Sequence, residues 1–179
     1  ADDYVMKPIV GAELLTRLTN RLERTRLLKS LSSKDPLTGL LNQPQSAREL
    51  EQLLQQAKRD QIPFCLGVLV FSNLTAINRR HGHAAGYQAL QRWSQILRSA
   101  FSTSSPGYWG NGEFVVGRLG ATESEMRDRL AQVVTTIQQQ EYKTEKGQMI
   151  KIECLVGIAA CSGSEVDLQE LYETTTSQL

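Results

Sequence analysis

Between Gln61 and Gly112 the chain contains no aspartate and no glutamate, although acids occupy 19 of its 179 positions. Such a stretch cannot supply the paired carboxylates on which acid–base or divalent-metal chemistry depends. It does carry four arginines, Arg79, Arg80, Arg92 and Arg98. Other absences exclude further classes. No apolar run approaches the roughly 20 residues of a membrane-spanning helix, and the first residues do not read as a signal peptide. Three cysteines, Cys65, Cys154 and Cys161, lie in or beside apolar runs without CxxC spacing. They fit inert core thiols in a reducing cytoplasm better than a disulfide framework or a zinc site. A net charge of +1 argues neither for nor against an acidic partner; no nucleic-acid or membrane partner is expected.

What is present is the composition of a globular chain, 40% hydrophobic and 22% charged. Residues 1–10 (ADDYVMKPIV) read as the end of an extended strand. Lys7-Pro8 must leave it, because proline restricts its predecessor and lacks a ladder donor. A start in mid-element predicts a fragment of something larger. Residues 11–33 turn helical: Leu15, Leu18 and Leu22 follow 3-4 spacing, resumed by Leu28 and Leu31. Arg17, Arg21, Arg24, Arg26 and Lys29 face only Glu13 and Glu23 there. One apolar stripe on a basic helix fits a two-stranded coiled coil, and equally a helix lying on its own domain.

Ser32 to Pro36 breaks that helix, with Asp35 placed to bond nearby backbone donors and Pro36 suited to a first turn. A helix is expected over Ser46–Arg59. Phe64–Phe71 reads as a buried central strand. A helical stretch follows to about Phe101, interrupted at His81-Gly82-His83 and Gly86. Tyr108–Arg118 has two strand-like halves around Gly110-Asn111-Gly112, a good hairpin signal. A further helix over Glu123–Gln139, a strand over Met149–Ala160 and a final helix over Asp167–Leu179 complete a mixed α/β pattern.

Two stretches carry a family resemblance. ADDYVMKP resembles the closing strand of a response-regulator receiver domain, which makes Lys7 the counterpart of the receiver's phosphoryl-contact lysine. The resemblance implies an upstream receiver and a sensor histidine kinase as partner, with residues 11–33 as the receiver's last helix extended into a linker. The second match spans residues 34–179. Asp35-Pro36-Leu37-Thr38-Gly39-Leu40-Leu41-Asn42 closely resembles the DxLTGLxN opening of GGDEF domains, the diguanylate cyclases. Ala76-Ile77-Asn78 with Gly82-His83 and Gly86, the hairpin Gly110-Asn111-Gly112-Glu113-Phe114, and Val156-Gly157-Ile158-Ala159 match later family landmarks in order. The implied fold is α+β: a central, mostly antiparallel five-stranded sheet flanked by helices, plus the N-terminal linker helix.

Active members of that family join two GTP molecules with divalent metal, one nucleotide in each half of a dimer. On this resemblance the first metal aspartate falls on Val70 and the second acid of the strand end on Ser72. The phenylalanine-lysine pair that serves the triphosphate falls on Leu74-Thr75. The acidic third position of the signature is Gly112, leaving Glu113 as the remaining acid. Of two guanine readers, Asn78 is kept and Tyr87 replaces the aspartate; Arg79 and Arg80 could attract phosphates. The family's product-feedback RxxD falls on Phe101-Ser102-Thr103-Ser104 and lacks both charges. Losing the metal removes several kcal/mol of transition-state stabilisation, and each ~1.4 kcal/mol is a decade in rate.

The expectation is therefore a degenerate, non-catalytic GGDEF domain with no cofactor, acting in the cytoplasm through a protein partner and a homodimer formed by the linker helix. An active cyclase using GTP and Mg²⁺, or a GTP-binding sensor without turnover, remain alternatives. His81 and His83 are expected in a turn rather than on a metal, with no cysteine or acid near them. Tyr108-Trp109 is either a contact patch or packing on the sheet.

Overall fold

The computed structural model describes residues 11, 15–17, 19–21, 32–102, 104, 106–143, 147–162 and 166–179. The chain divides into two compact units, Ala1–Ser33 and Lys34–Leu179. In the first, residues 11, 15–17 and 19–21 are helical, as the leucine spacing predicts, and Leu15 is exposed. Lys7 and the remaining leucines of the stripe (Leu18, Leu22, Leu28 and Leu31) lie outside the described residues.

The second unit opens on a loop organised by Asp35. Its carboxylate accepts hydrogen bonds from the Thr38 N–H and hydroxyl, both at 2.8 Å, and from the Leu37 N–H at 3.2 Å. Helix α1 (Gln43–Asp60) then begins three residues before the predicted start, because Asn42 caps it, its side chain accepting from the Gln45 N–H at 3.0 Å. The helix ends at Gln61 in the left-handed region, φ 54°. Strand β1 (Phe64–Phe71) coincides with the predicted central strand. Helices α2 (Leu74–His81) and α3 (His83–Ala100) meet at Gly82, the predicted interruption. The hairpin is β2 (Gly107–Gly110) and β3 (Glu113–Leu119). Helix α4 (Glu123–Gln139) starts on a reciprocal capping box between Thr122 and Glu125. After β4 (Tyr142–Lys143), β5 (Met149–Ile150) and β6 (Cys154–Cys161), helix α5 (Leu168–Thr176) closes the unit.

The main sheet has four strands in the order β2-β3-β1-β6, with every pairing antiparallel. This corrects the five-stranded expectation. The predicted strand over Met149–Ala160 is in fact two: β5 pairs with β4 in a separate two-stranded ladder, and β6 pairs with β1. The break has a local cause. In the turn after β1, the Asn73 amide donates to the Lys151 carbonyl at 2.9 Å and accepts from the Glu153 N–H at 3.1 Å. A side chain thus takes the place of a neighbouring strand across residues 151–153. Ser72 donates to the Glu153 carbonyl through its N–H at 3.1 Å and its hydroxyl at 3.2 Å.

Strand β1 lies between β3 and β6, so its alternating side chains feed two cores. Cys65, Leu69 and Phe71 pack with Phe114, Val116 and helices α3 and α4, around Trp93, Leu97, Met126 and Leu130. Phe64, Leu66 and Val68 pack with Val115, Ala159 and helices α1 and α5, around Leu50, Leu54 and Leu171. Burial on both faces explains why the strand reads as a continuous apolar run. The three thiols are free, and burial pushes Cys65 up to about 11 and Cys154 up to about 12, so both stay protonated and unreactive at neutral pH.

Helix α5 sits directly on β6 at Gly157, where a Cβ would collide with the Thr175 carbonyl. Backbone cannot yield as a side chain does, so Gly157→Ala must push α5 off the sheet. The expected cost is about 1–3 kcal/mol, read as a lowered midpoint in urea unfolding with an unchanged slope.

Candidate functional site

The hairpin is built by its own residues. Gly110 pairs with Glu113 in the ladder, leaving Asn111 and Gly112 as a two-residue loop with φ 51° and 86°. Two positive φ values are the mark of a type I′ turn, for which Asn-Gly is the favoured pair. The register slips between Tyr108 and Gly110, so Trp109 forms a bulge. A chain of aromatic rings fixes the hairpin onto the sheet and α3: Tyr108 on Phe114 at 5.0 Å, Phe114 on Trp93 at 5.6 Å, and Trp93 stacked on Phe71 at 4.9 Å. The Gly112 carbonyl accepts from the Phe71 N–H at 2.9 Å, tying the loop to the end of β1.

The ladder makes Val70 and Glu113 direct cross-strand neighbours. Two positions that the family resemblance names for metal chemistry therefore do converge, one of them a valine and the other keeping its acid. Val70 packs half-buried against the core beneath α1 and α5. Glu113, on the same face, accepts a hydrogen bond at 2.6 Å from the Tyr172 hydroxyl on α5. Tyr172 in turn packs on Trp109 with ring centroids 4.8 Å apart, and the Trp109 indole donates to the Ser46 hydroxyl at 2.7 Å. Tyr108 and Trp109 are both packing residues, and Glu113 belongs to a network linking the hairpin to α1 and α5.

Gly112 is buried, and a Cβ there would lie 3.0 Å from the Phe71 Cβ and 3.1 Å from the Leu74 Cδ2. At φ 86° any side chain here is strained, and its Cβ would press tightly on Phe71 and Leu74. The side-chain donor set thus does not fit a triphosphate-bound divalent cation: Val70 and Gly112 offer no side-chain oxygen, and Glu113 is engaged by a phenol. Among the described residues no group of three or more His, Cys, Asp or Glu side chains could hold a metal ion.

Asn78 lies elsewhere, on α2 where it meets α3. Its Oδ1 is buried without a hydrogen-bond partner, close against Gly86, and a Cβ at Gly86 would overlap it. Leu74 packs on the same glycine. Asn78 and Glu113 are therefore not brought together, because α2 and α3 pack on one face of the sheet while Glu113 points to the other. Arg79 and Thr75 are exposed, and Tyr87 is 48% exposed beside His83, ring centroids 6.1 Å apart. His81 ends α2 and His83 starts α3. Phe101 is buried and Ser102 exposed after α3, and Thr103 lies outside the described residues.

Sequence reasoning missed Tyr172 and Ser46. Neither has a local signal, since each meets its partner from a helix far away in the chain.

The family model for the diguanylate cyclase GGDEF domain matches residues 32–179. Diguanylate cyclase DgcS of Shewanella oneidensis is 26% identical over 148 residues, 81% of this chain and 47% of the relative. The chain spans less than half the length of the curated relatives it matches. Among solved structures, a microbial GGDEF domain studied with cyclic di-GMP is 30% identical, covering 84% of this chain and 89% of that one with a TM-score of 0.67. The GGDEF domain of DgcB from Caulobacter crescentus, solved with c-di-GMP, is 19% identical, covering 82% and 86% with a TM-score of 0.77.

The network carries a pH signature. Burial, then the hydrogen bond and charge of Glu113, hold the Tyr172 phenol well above its ordinary value of 10. Raised on folding, it leaves stability unchanged below about pH 10 and withdraws it above, where the unfolded phenol ionises first. Tyr172→Phe should lose stability at neutral pH through the lost hydrogen bond, about 1 kcal/mol. It should also fall less than wild type between pH 9 and 11; urea unfolding across that range measures both.

Proposed function

The chain belongs to the GGDEF family of diguanylate cyclase domains, and from that premise we propose that it is a degenerate, catalytically silent member that signals through protein contact. The observation that carries the reading is the composition of the hairpin site. Val70 and Gly112 hold the places of metal-binding acids, and the one acid beside them, Glu113, is hydrogen-bonded to Tyr172. Nucleophilic displacement at a triphosphate relies on divalent metal to neutralise developing charge. A site without that donor set forfeits several kcal/mol of transition-state stabilisation, several orders of magnitude in rate at ~1.4 kcal/mol per decade.

The receiver-like stretch at residues 1–8, with Lys7 in the phosphoryl-contact position, supports a place in a cytoplasmic two-component response regulator. In that reading a sensor histidine kinase phosphorylates the receiver, and the helix at residues 11–33 passes the signal on through pairing in a homodimer. The domain from Lys34 onward is then the output surface.

A second reading, a GTP sensor without turnover, is favoured by one observation: Asn78 Oδ1 is buried and unpartnered. Such an atom costs about 1–3 kcal/mol unless something satisfies it.

Incubating the purified chain with GTP and either Mg²⁺ or Mn²⁺ separates the readings. The expected result is no cyclic di-GMP above the buffer control by chromatography. Formation of product sinks the proposal. Micromolar GTP binding without product, abolished by Asn78→Ala, transfers the assignment to the sensor reading.

A further inference from the structure

Helices α3 and α4 leave a groove of about 500 Å³ between them. Ile96, Ala100 and Val133 line it together with Gln95, Ser99, Gln132 and Thr136. The face is less polar than its sequence reads. The hydroxyls of Ser99, Thr135 and Thr136 donate to the carbonyls of Gln95, Ala131 and Gln132 at 3.0, 2.9 and 2.8 Å, each four residues back on its own helix. These three side chains are exposed, but a hydroxyl folded back in this way has already spent its donor.

The cations around the groove are spent as well. Among the described residues that line it, only Arg129 is charged, and it donates to the Ala100 carbonyl at the end of α3, through Nε at 3.1 Å and Nη2 at 2.8 Å. On α3, Arg92 donates to the Glu141 carbonyl at 2.6 Å and lies over the Tyr142 ring, and Arg98 donates to the Thr38 carbonyl at 3.2 Å. From Leu130 to Gln139, α4 has no charged residue. Its acids Glu125 and Asp128 line an adjoining cleft with Arg118. The polar groups left over are the amides of Gln95 and Gln132, both exposed. An amide holds donor and acceptor together, so it can pair with a copy of itself, which neither a guanidinium nor a carboxylate can do. A charge-depleted, partly apolar face bearing such groups is complementary to itself.

We propose that the α3–α4 face is the contact between two copies of this chain, formed by the same surface on each. The proposal goes beyond the protein-contact reading above and concerns the domain from Lys34 onward, independently of pairing through residues 11–33. A two-fold axis near Gln132 brings the two Gln132 amides together. It also sets the Arg129 end of one groove against the Thr136 end of the other, keeping the two arginines apart. Ile96, Val133 and the threonine methyls are then withdrawn from water. The contact lies on the α3–α4 side of the sheet, opposite the side where Glu113 meets Tyr172.

The test uses the full chain and two measurements. In the first, Gln132→Cys is oxidised mildly at micromolar protein, beside wild type and Gln52→Cys, an exposed position on α1. Thiols held together across a contact meet at an effective concentration of about millimolar, so the disulfide-linked dimer of Gln132→Cys should form at least about tenfold faster than that of Gln52→Cys. Adding Thr136→Glu, which puts a carboxylate on each copy of the face, should slow it about tenfold. Both α4 positions are exposed, so the variants should keep the wild-type circular dichroism and urea midpoint. In the second, amide shifts of the wild-type chain should change on dilution, centred on residues 95–100 and 129–136. Equal oxidation rates at positions 132 and 52, or indifference to Thr136→Glu, would overturn the proposal. So would a doubled mass in sedimentation with no dilution shifts on this face, which assigns the pairing to the helix at residues 11–33.

Discussion

Strand β1 is paired along both edges and covered on both faces, and the arrangement of everything else follows from that enclosure. Its register with β3 sets Val70 opposite Glu113, and its register with β6 sets Val68 opposite Gly157, the point where α5 comes down on the sheet. A strand in this position has to be apolar along its whole length, since a charge placed in it would need a partner within the core. The end of such a strand is the one place where a polar group can emerge beside the hairpin. In this chain that place is taken by valine, and the apolar packing simply runs on to the rim of the site.

The hairpin shows the same substitution of packing for charge. A tight Asn-Gly turn closes against Phe71 and Leu74, and the aromatic chain from Tyr108 to Phe71 anchors it from below. Glu113 is absorbed into a hydrogen-bonded bridge from hairpin to α5, continued by Trp109 to α1. A carboxylate that could have faced a cation instead accepts from a phenol. These structural interactions hold the hairpin to the helices on one face of the sheet.

Much was legible before any tertiary structure. The central strand was bounded correctly by its apolar run, the break between α2 and α3 by Gly82, and the hairpin by Asn111-Gly112, because each signal is local: period, punctuation and turn chemistry. That Val70, Ser72 and Gly112 carry no carboxylate is likewise a property of residue identity. Three things were not legible. The strand over Met149–Ala160 is cut because the Asn73 side chain, from a distant turn, occupies the ladder positions of residues 151–153. Glu113 is engaged because α5 delivers Tyr172 to it. Asn78 and Glu113, both kept polar, lie on opposite faces of the sheet. The sequence by itself determined which groups are available to the site. The tertiary structure alone decided which of them meet, because those contacts join residues far apart in the chain that no local pattern relates.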